Sequence, residues 1–334
     1  MAATSPLELA ITLQGDLDAP ATTALARRAD DAGLSHLWLF DSALQGRDPY
    51  PLITLAAGAT TRLRFGTCVT NPATRHPAVT ASLLATIAEL SRGRVDLGIG
   101  RGDSAVRMVG EEPPPLADLE RAVHEIRDLV EGRPVRYAGV AQRLVYAVPH
   151  PLPVWVAGYG PRVLALAGRI ADGVVIQLAD PPLVAWLVGH VRAGAVAAGR
   201  DPDEIRVQVA APGIIGDPGR VRELLRWFPA LVANHVLDLL RRAAPGTLPP
   251  ALVDYVDRGA VYDYVPQHTG DYSFVDDDTI DRFCLVGDAA TQSRRIEALR
   301  DAGMTQLNVY PLPGREAETI DAYASLVRTV GVRA

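Results

Sequence analysis

Residues 64–101 read RFGTCVTNPATRHPAVTASLLATIAELSRGRVDLGIGR, and this stretch decides the fold. Arg64–Thr70 is an apolar, β-prone run, and a polar turn follows it. Pro77–Arg92 spaces its apolar residues as a helix does, and Val95–Arg101 is a second apolar run that ends among glycines. Strand, helix and strand in such close succession imply a βαβ unit with parallel strands.

The same rhythm extends outward in both directions. Strand-like runs recur at Leu7–Gln14, His36–Asp41, Val154–Ala157, Gly173–Leu178, Ile205–Ala211 and Gln306–Tyr310. Helix-like stretches occupy Ala19–Gly33, Pro161–Ala171, Leu183–Gly199, Ala289–Ala302 and Thr319–Val330. Gly33 and Gly199 stand where a helix C-cap favours glycine. Eight such strands in a chain of 334 residues favour an α/β fold of the closed (β/α)8 TIM-barrel type, as one domain over residues 1–334. Two stretches interrupt the rhythm. Glu131–Tyr146, with its central glycine and alternating apolar residues, reads as a β-hairpin. Gly213–Asp281 is a long insertion after the seventh strand, expected on the catalytic rim, where barrel enzymes carry specificity.

Composition narrows the function classes. The formal net charge of -6 argues against a nucleic-acid backbone as partner. No uncharged apolar run is long enough to span a membrane, and no signal peptide is visible after Met1. Cys68 and Cys284 lie far apart, match no metal spacing and sit in apolar runs, so no metal site is expected. A cytoplasmic protein with reduced thiols is the expectation. A homodimer or higher homo-oligomer acting on a small-molecule substrate completes it.

Three segments could carry chemistry, each at a strand-to-helix junction. The first places Thr70, Asn71, Arg75 and His76 at the mouth of the barrel, although the same residues also suit an ordinary turn. The second, Gly98-Ile99-Gly100-Arg101-Gly102-Asp103, lets backbone approach a flat ligand or simply pack tightly, and it lacks the spacing of a dinucleotide fingerprint. The third, Ala157-Gly158-Tyr159-Gly160-Pro161, opens a helix whose unpaired N–H groups attract phosphate.

Taken in order, VTNPATRHPAVTAS, LGIGRGDSAVR, PVWVAGYGPRVLALAG and ADGVV resemble the luciferase-like flavin and deazaflavin oxidoreductases. LQGD, LWLFDS and DRFCLVGDAATQ agree, and the branch most similar contains the F420-dependent methylenetetrahydromethanopterin reductases. The resemblance spans nearly the whole chain outside residues 213–281. It implies a ring held at the C-terminal mouth and a non-prolyl cis peptide at Cys68–Val69, with Thr70 and Asn71 at the ring edge. It implies a phosphate grip at Ala157, Gly158, Tyr159 and Gly160. Gln14, Asp41, Gly100, Gly102, Asp103 and Gln177 complete the implied cofactor-binding set. Two departures limit the transfer. Thr12 stands where pterin-reducing enzymes carry an acid, and Phe40-Asp41-Ser42 lacks the histidine that many relatives place after the aspartate.

The resemblance therefore implies a coenzyme F420-dependent oxidoreductase that moves a hydride to or from the deazaflavin C5. An FMN-dependent monooxygenase of a two-component system and a non-catalytic flavin-binding barrel are the alternatives. Asp41, Asp103 and His76 are the candidate catalytic proton carriers; a carboxyl buried near the ring would have its pKa raised. Thr12, Trp227, Asn234, His235 and His268 are the candidate substrate-binding residues.

Overall fold

The computed structural model describes residues 6–232, 272 and 275–331. In chain order the first half contains β1 (Glu8–Leu13), α1 (Ala19–Ala32), β2 (His36–Leu39), α2 (Pro49–Gly58), β3 (Arg64–Thr67), α3 (Pro77–Ser91), β4 (Val95–Ile99), α4 (Asp103–Met108) and α5 (Leu116–Val130). Then come β5 (Val135–Tyr137), β6 (Val140–Gln142), β7 (Val154–Ala157), α6 (Pro161–Ile170), β8 (Gly173–Ile176), α7 (Pro181–Ala197), β9 (Arg206–Ile215) and α8 (Pro218–Leu225). After a helical stretch at 227–232, the chain is described again through α9 (Asp277–Phe283), β10 (Leu285–Gly287), α10 (Ala289–Asp301), β11 (Gln306–Tyr310) and α11 (Glu316–Gly331).

Among the described residues, eight parallel strands close a barrel in the order β1, β2, β3, β4, β7, β8, β9, β11 and back to β1. The expected TIM barrel is present. Its elements follow from local chemistry. Asp18 caps α1 by accepting from the Ala21 amide, and Gly33 ends it at φ 82°. Leu119, Val123, Ile126 and Val130 recur at helical spacing along α5 and are all buried. The hairpin also forms as read, with β5 and β6 antiparallel and Arg136 opposite Ala141. Among the described residues no helix is long and apolar enough to cross a membrane.

Several boundaries differ from the sequence reading. β9 continues to Ile215, so Gly213–Ile215 are strand and pair with β10 rather than opening the insertion. β2, β3 and β4 stop two or three residues short of their apolar runs, because the chain leaves the ladder there to form the barrel mouth. α2 was missed because its sequence, PYPLITLAAG, is apolar on nearly every side and shows no amphipathic stripe.

The barrel interior is layered. Leu9, Ile11 and Leu13 alternate with Ala10 and Thr12 along β1, one set toward the helices and the other toward the axis. Near the N-terminal pole, Trp38 and Trp155 meet edge to face with centroids 5.7 Å apart, and His36 stacks on Trp38 at 5.1 Å. Two glycines make room for the indoles. A Cβ at Gly66 would fall 2.3 Å from Trp38 Cζ3, and one at Gly173 would fall 2.2 Å from Trp155 Cε3. Below them Asp96 is wholly buried and accepts from Trp155 Nε1 (2.8 Å) and Arg64 Nε (2.8 Å). The floor of the barrel is therefore polar and paired.

Candidate functional site at the barrel mouth

The C-terminal strand ends converge at the opposite pole. The peptide between Cys68 and Val69 is cis, as the resemblance implies. Beyond it the ladder resumes for one bridge, Thr70 to Ile99, with Thr70 N donating to Gly98 O at 2.9 Å. Gly98 has no room for a side chain, since a Cβ there would lie 1.8 Å from Thr67 O. Gly100 lies against Val69, its hypothetical Cβ 3.2 Å from Val69 Cγ2. Gly102 sits at φ 81° against Asn71.

Asp41 follows β2 and is buried. Thr70 Oγ1 donates to its Oδ2 at 2.6 Å, and Arg75 Nε approaches the same oxygen at 3.5 Å. The Arg75 guanidinium also reaches Asp48 at 2.7 Å and lies over the Tyr50 ring, 4.9 Å from its centroid. Burial pushes the Tyr50 hydroxyl well above the ordinary phenol range, and the nearby Asp41 charge adds to this. Asn71 uses its Oδ1 three times, accepting from Ala73 N, Thr74 N and Thr74 Oγ1. Its Nδ2 and the Nε2 of Gln14 are buried without a partner.

Tyr159 and Gln177 form the other wall. The Tyr159 hydroxyl donates to Gln177 Oε1 at 3.3 Å, and Gln177 Nε2 donates to the Tyr310 hydroxyl at 3.0 Å. Gly160 is the N-cap of α6 in extended conformation (φ -82°, ψ 147°) and supplies no side-chain cap. Pro161 follows with no N–H to satisfy, and the Gly160 carbonyl accepts from Leu164 N at 3.0 Å. A Cβ on Gly158 would strike Val163 Cγ1 at 2.4 Å, which fixes the backbone of this turn beside Ala157.

The remaining candidates are less central. Asp103 begins α4 and pairs with Arg107 at 2.7 Å. His76 caps α3, its Nδ1 accepting from Ala78 N at 3.2 Å, while its ring packs 5.4 Å from Tyr137. Thr12 is fully buried inside the barrel, exchanging hydrogen bonds with Asn308 at 2.8 and 3.0 Å. Trp227 is 5% exposed and packs edge to face on Phe228, which in turn packs on Tyr310. Asn234, His235 and His268 lie outside the described residues.

Sequence reasoning missed Tyr310, Asn308 and Gln208. The signal was present as polar residues at period two, Gln306, Asn308 and Tyr310 in QLNVY and Arg206 and Gln208 in RVQVA. A groove of about 610 Å³ on the outer surface, between α1 and α11, lies away from the strand ends. Its Arg28 and Asp321 pair with each other, so it is a polar seam between helices.

The barrel thus gathers its small-residue turns and unpaired donors at the pole where folds of this type carry their sites. A family model described as luciferase-like monooxygenase matches residues 6–306, and the chain belongs to that family. It is 30% identical over 311 residues to 5,10-methylenetetrahydromethanopterin reductase of Methanopyrus kandleri, covering 85% of this chain and 87% of that protein. The reductase of the same name from Archaeoglobus fulgidus is 36% identical over 159 residues, a match covering 46% of this chain and only 48% of that protein, so the chain spans about half its length. The solved structure of the coenzyme F420-dependent tetrahydromethanopterin reductase from Methanopyrus kandleri superposes with a TM-score of 0.78 at 25% identity. That match covers 97% of this chain and 99% of the other.

Proposed function

We propose that this chain is an F420-dependent oxidoreductase acting on a small or medium organic substrate. The observation that carries the reading is the Asn71 side-chain amide. Its oxygen is committed three times, and its Nδ2 is left buried and unpaired at the mouth. A buried donor without a partner costs about 1–3 kcal/mol, a cost that a bound ligand recovers. Gln14 Nε2 repeats the pattern, and the uncapped start of α6 suits a phosphate. These residues fit the deazaflavin: Gln14, Thr70, Asn71, Gly100 and Gln177 would hold its ring, and Gly158, Tyr159 and Gly160 its phosphate. When bound, the cofactor supplies a carbon that carries or accepts hydride. The F420 dependence of the Methanopyrus reductase supports this choice.

The protein's own part is to place substrate and manage one proton. Thr70 and Arg75 both engage Oδ2 of Asp41, which leaves Oδ1 to meet a substrate. Asp41 Oδ1 is accordingly the group proposed to accept a hydrogen bond from a substrate hydroxyl. Asp103 is likewise tied to Arg107, and His76 retains only Nε2 for chemistry. The chain leaves β9 at its C-terminal end, which supports the insertion as part of the substrate wall. Exposed Leu55, Val79 and Leu90 on α2 and α3 support a homo-oligomer, and two free, buried cysteines suit a reducing cytoplasm. The test is to titrate the purified protein separately with F420 and with FMN, following absorbance and fluorescence. Saturable binding of F420 with weaker FMN binding is expected; tight FMN binding without F420 binding overturns the reading.

A further inference from the structure

A run of hydrogen bonds crosses the barrel axis from floor to mouth, and its sense is set at the floor. Asp96 can only accept, so His36 donates to it from Nε2 at 3.3 Å, and His36 Nδ1 accepts from Gln306 Nε2 at 3.0 Å. Gln306 Oε1 accepts from Gln208 Nε2 at 2.6 Å, and Gln208 Oε1 accepts the thiol of Cys68 at 3.7 Å. With its own hydrogen committed there, the Cys68 sulfur meets the Tyr310 hydroxyl, 3.8 Å away, as an acceptor. On its other side the Tyr310 oxygen accepts from Gln177. Every donor in the run points toward Asp96. The Tyr310 hydrogen is thus left on sulfur.

That contact is the weakest in the run. Sulfur is a poor acceptor, and 3.8 Å is long beside the roughly 2.7–2.8 Å of a good O–H···O bond. Burial keeps Tyr310 protonated by pushing it well above the ordinary phenol range. The ring itself is held by Phe40, with centroids 5.3 Å apart, and by Phe228 at 6.0 Å. A fixed, protonated hydroxyl with a poor acceptor exchanges that acceptor for an oxygen at little cost. Tyr310 also sits beside Gln177, assigned above to the ring, and Cys68, the first residue of the cis peptide.

We infer that Tyr310 is a ligand-binding donor of the mouth. Its O–H leaves the Cys68 sulfur for a carbonyl oxygen of the pyrimidinedione ring that F420 and FMN share, and Gln177 is the residue that positions it. The inference rests on the cofactor reading above. Two measurements test it, using whichever of F420 and FMN the wild type binds. Tyr310→Phe keeps the ring and its packing, and it should bind that cofactor roughly tenfold more weakly while unfolding within a few degrees of wild type. The infrared S–H region offers a second readout that needs no variant. The chain has only two cysteines, and Cys284 donates to Leu225 O at 3.9 Å, away from this run. Cofactor addition should shift the Cys68 band and leave the Cys284 band in place. Unchanged affinity in Tyr310→Phe with an unmoved Cys68 band overturns the inference and leaves the cofactor reading standing. A wild type that binds neither F420 nor FMN overturns both.

Discussion

The indole N–H of Trp155 donates to Oδ2 of Asp96 at 2.8 Å, joining β7 to β4 across the floor of the barrel. The same carboxylate takes His36 from β2 and Arg64 from β3, with Arg206 of β9 at 3.6 Å. Five strands thus meet on one buried carboxylate, at the pole opposite the candidate site.

This arrangement makes acid stability depend on Asp96. Burial alone would raise the carboxyl, but the hydrogen bond from His36, the Arg64 charge and the Trp155 bond outweigh it and hold Asp96 well below the usual range. Because the folded value is depressed, its stabilisation is fully present above roughly pH 4–5 and is lost as pH falls below that. Asp96→Asn should cost about 3–5 kcal/mol at pH 7, because it strands buried partners. The gap in urea midpoint between the two proteins should narrow at pH 3.5. An equal gap at both pH values would count against a depressed Asp96.

Gly66 is expected to tolerate no side chain. Its hypothetical Cβ lies 2.3 Å from Trp38 and 2.8 Å from the backbone oxygen of Asp96, so Gly66→Ala must displace an indole in a packed layer. A loss of about 1–3 kcal/mol is expected, with a changed near-ultraviolet tryptophan circular dichroism signal. An unaltered signal and melting temperature would mean that the layer is looser than described.

Gly160→Asp should separate helix stability from anion binding. The extended backbone at Gly160 is that of an N-cap, and an aspartate there would accept the amides of α6 itself. Stability should rise by a few tenths of a kcal/mol. Cofactor affinity should fall by at least about tenfold, because a carboxylate would take the place of the phosphate. If affinity is retained, the phosphate binds elsewhere.

Thr12→Glu would install an acid at the position where the family resemblance implies one in pterin-reducing enzymes. Thr12 is fully buried and both its bonds go to Asn308, so a carboxylate there has no room to reach the mouth. We expect a loss of about 2–4 kcal/mol that is smaller at pH 5 than at pH 7, since burial raises the folded pKa of the new carboxyl. A variant as stable as wild type at pH 7 would show that residue 12 opens toward the ligand.

The sequence alone determined the barrel, because each of its signals is local. The apolar runs, the helical spacing of Leu119 to Val130, the glycine at position 33 and the hairpin around Gly139 each depend on residues close in the chain. The ordered phrases at the strand ends likewise placed Asp41, Thr70, Asn71 and Gln177 at one pole. Only the tertiary structure decided what those groups face. Gln208, Gln306, Asn308 and Tyr310 carry a period-two polar pattern, which in a sheet open to water would mark a solvated face. Closing the barrel turns that face inward and joins it to His36, 270 positions from Gln306 in the chain, and through His36 to Asp96. Closure likewise consumes Thr12 against Asn308 and ties Asp41 to Arg75. Hydrogen-bond partners at such separations leave no local mark, because their pairing depends on barrel closure rather than on neighbours in sequence.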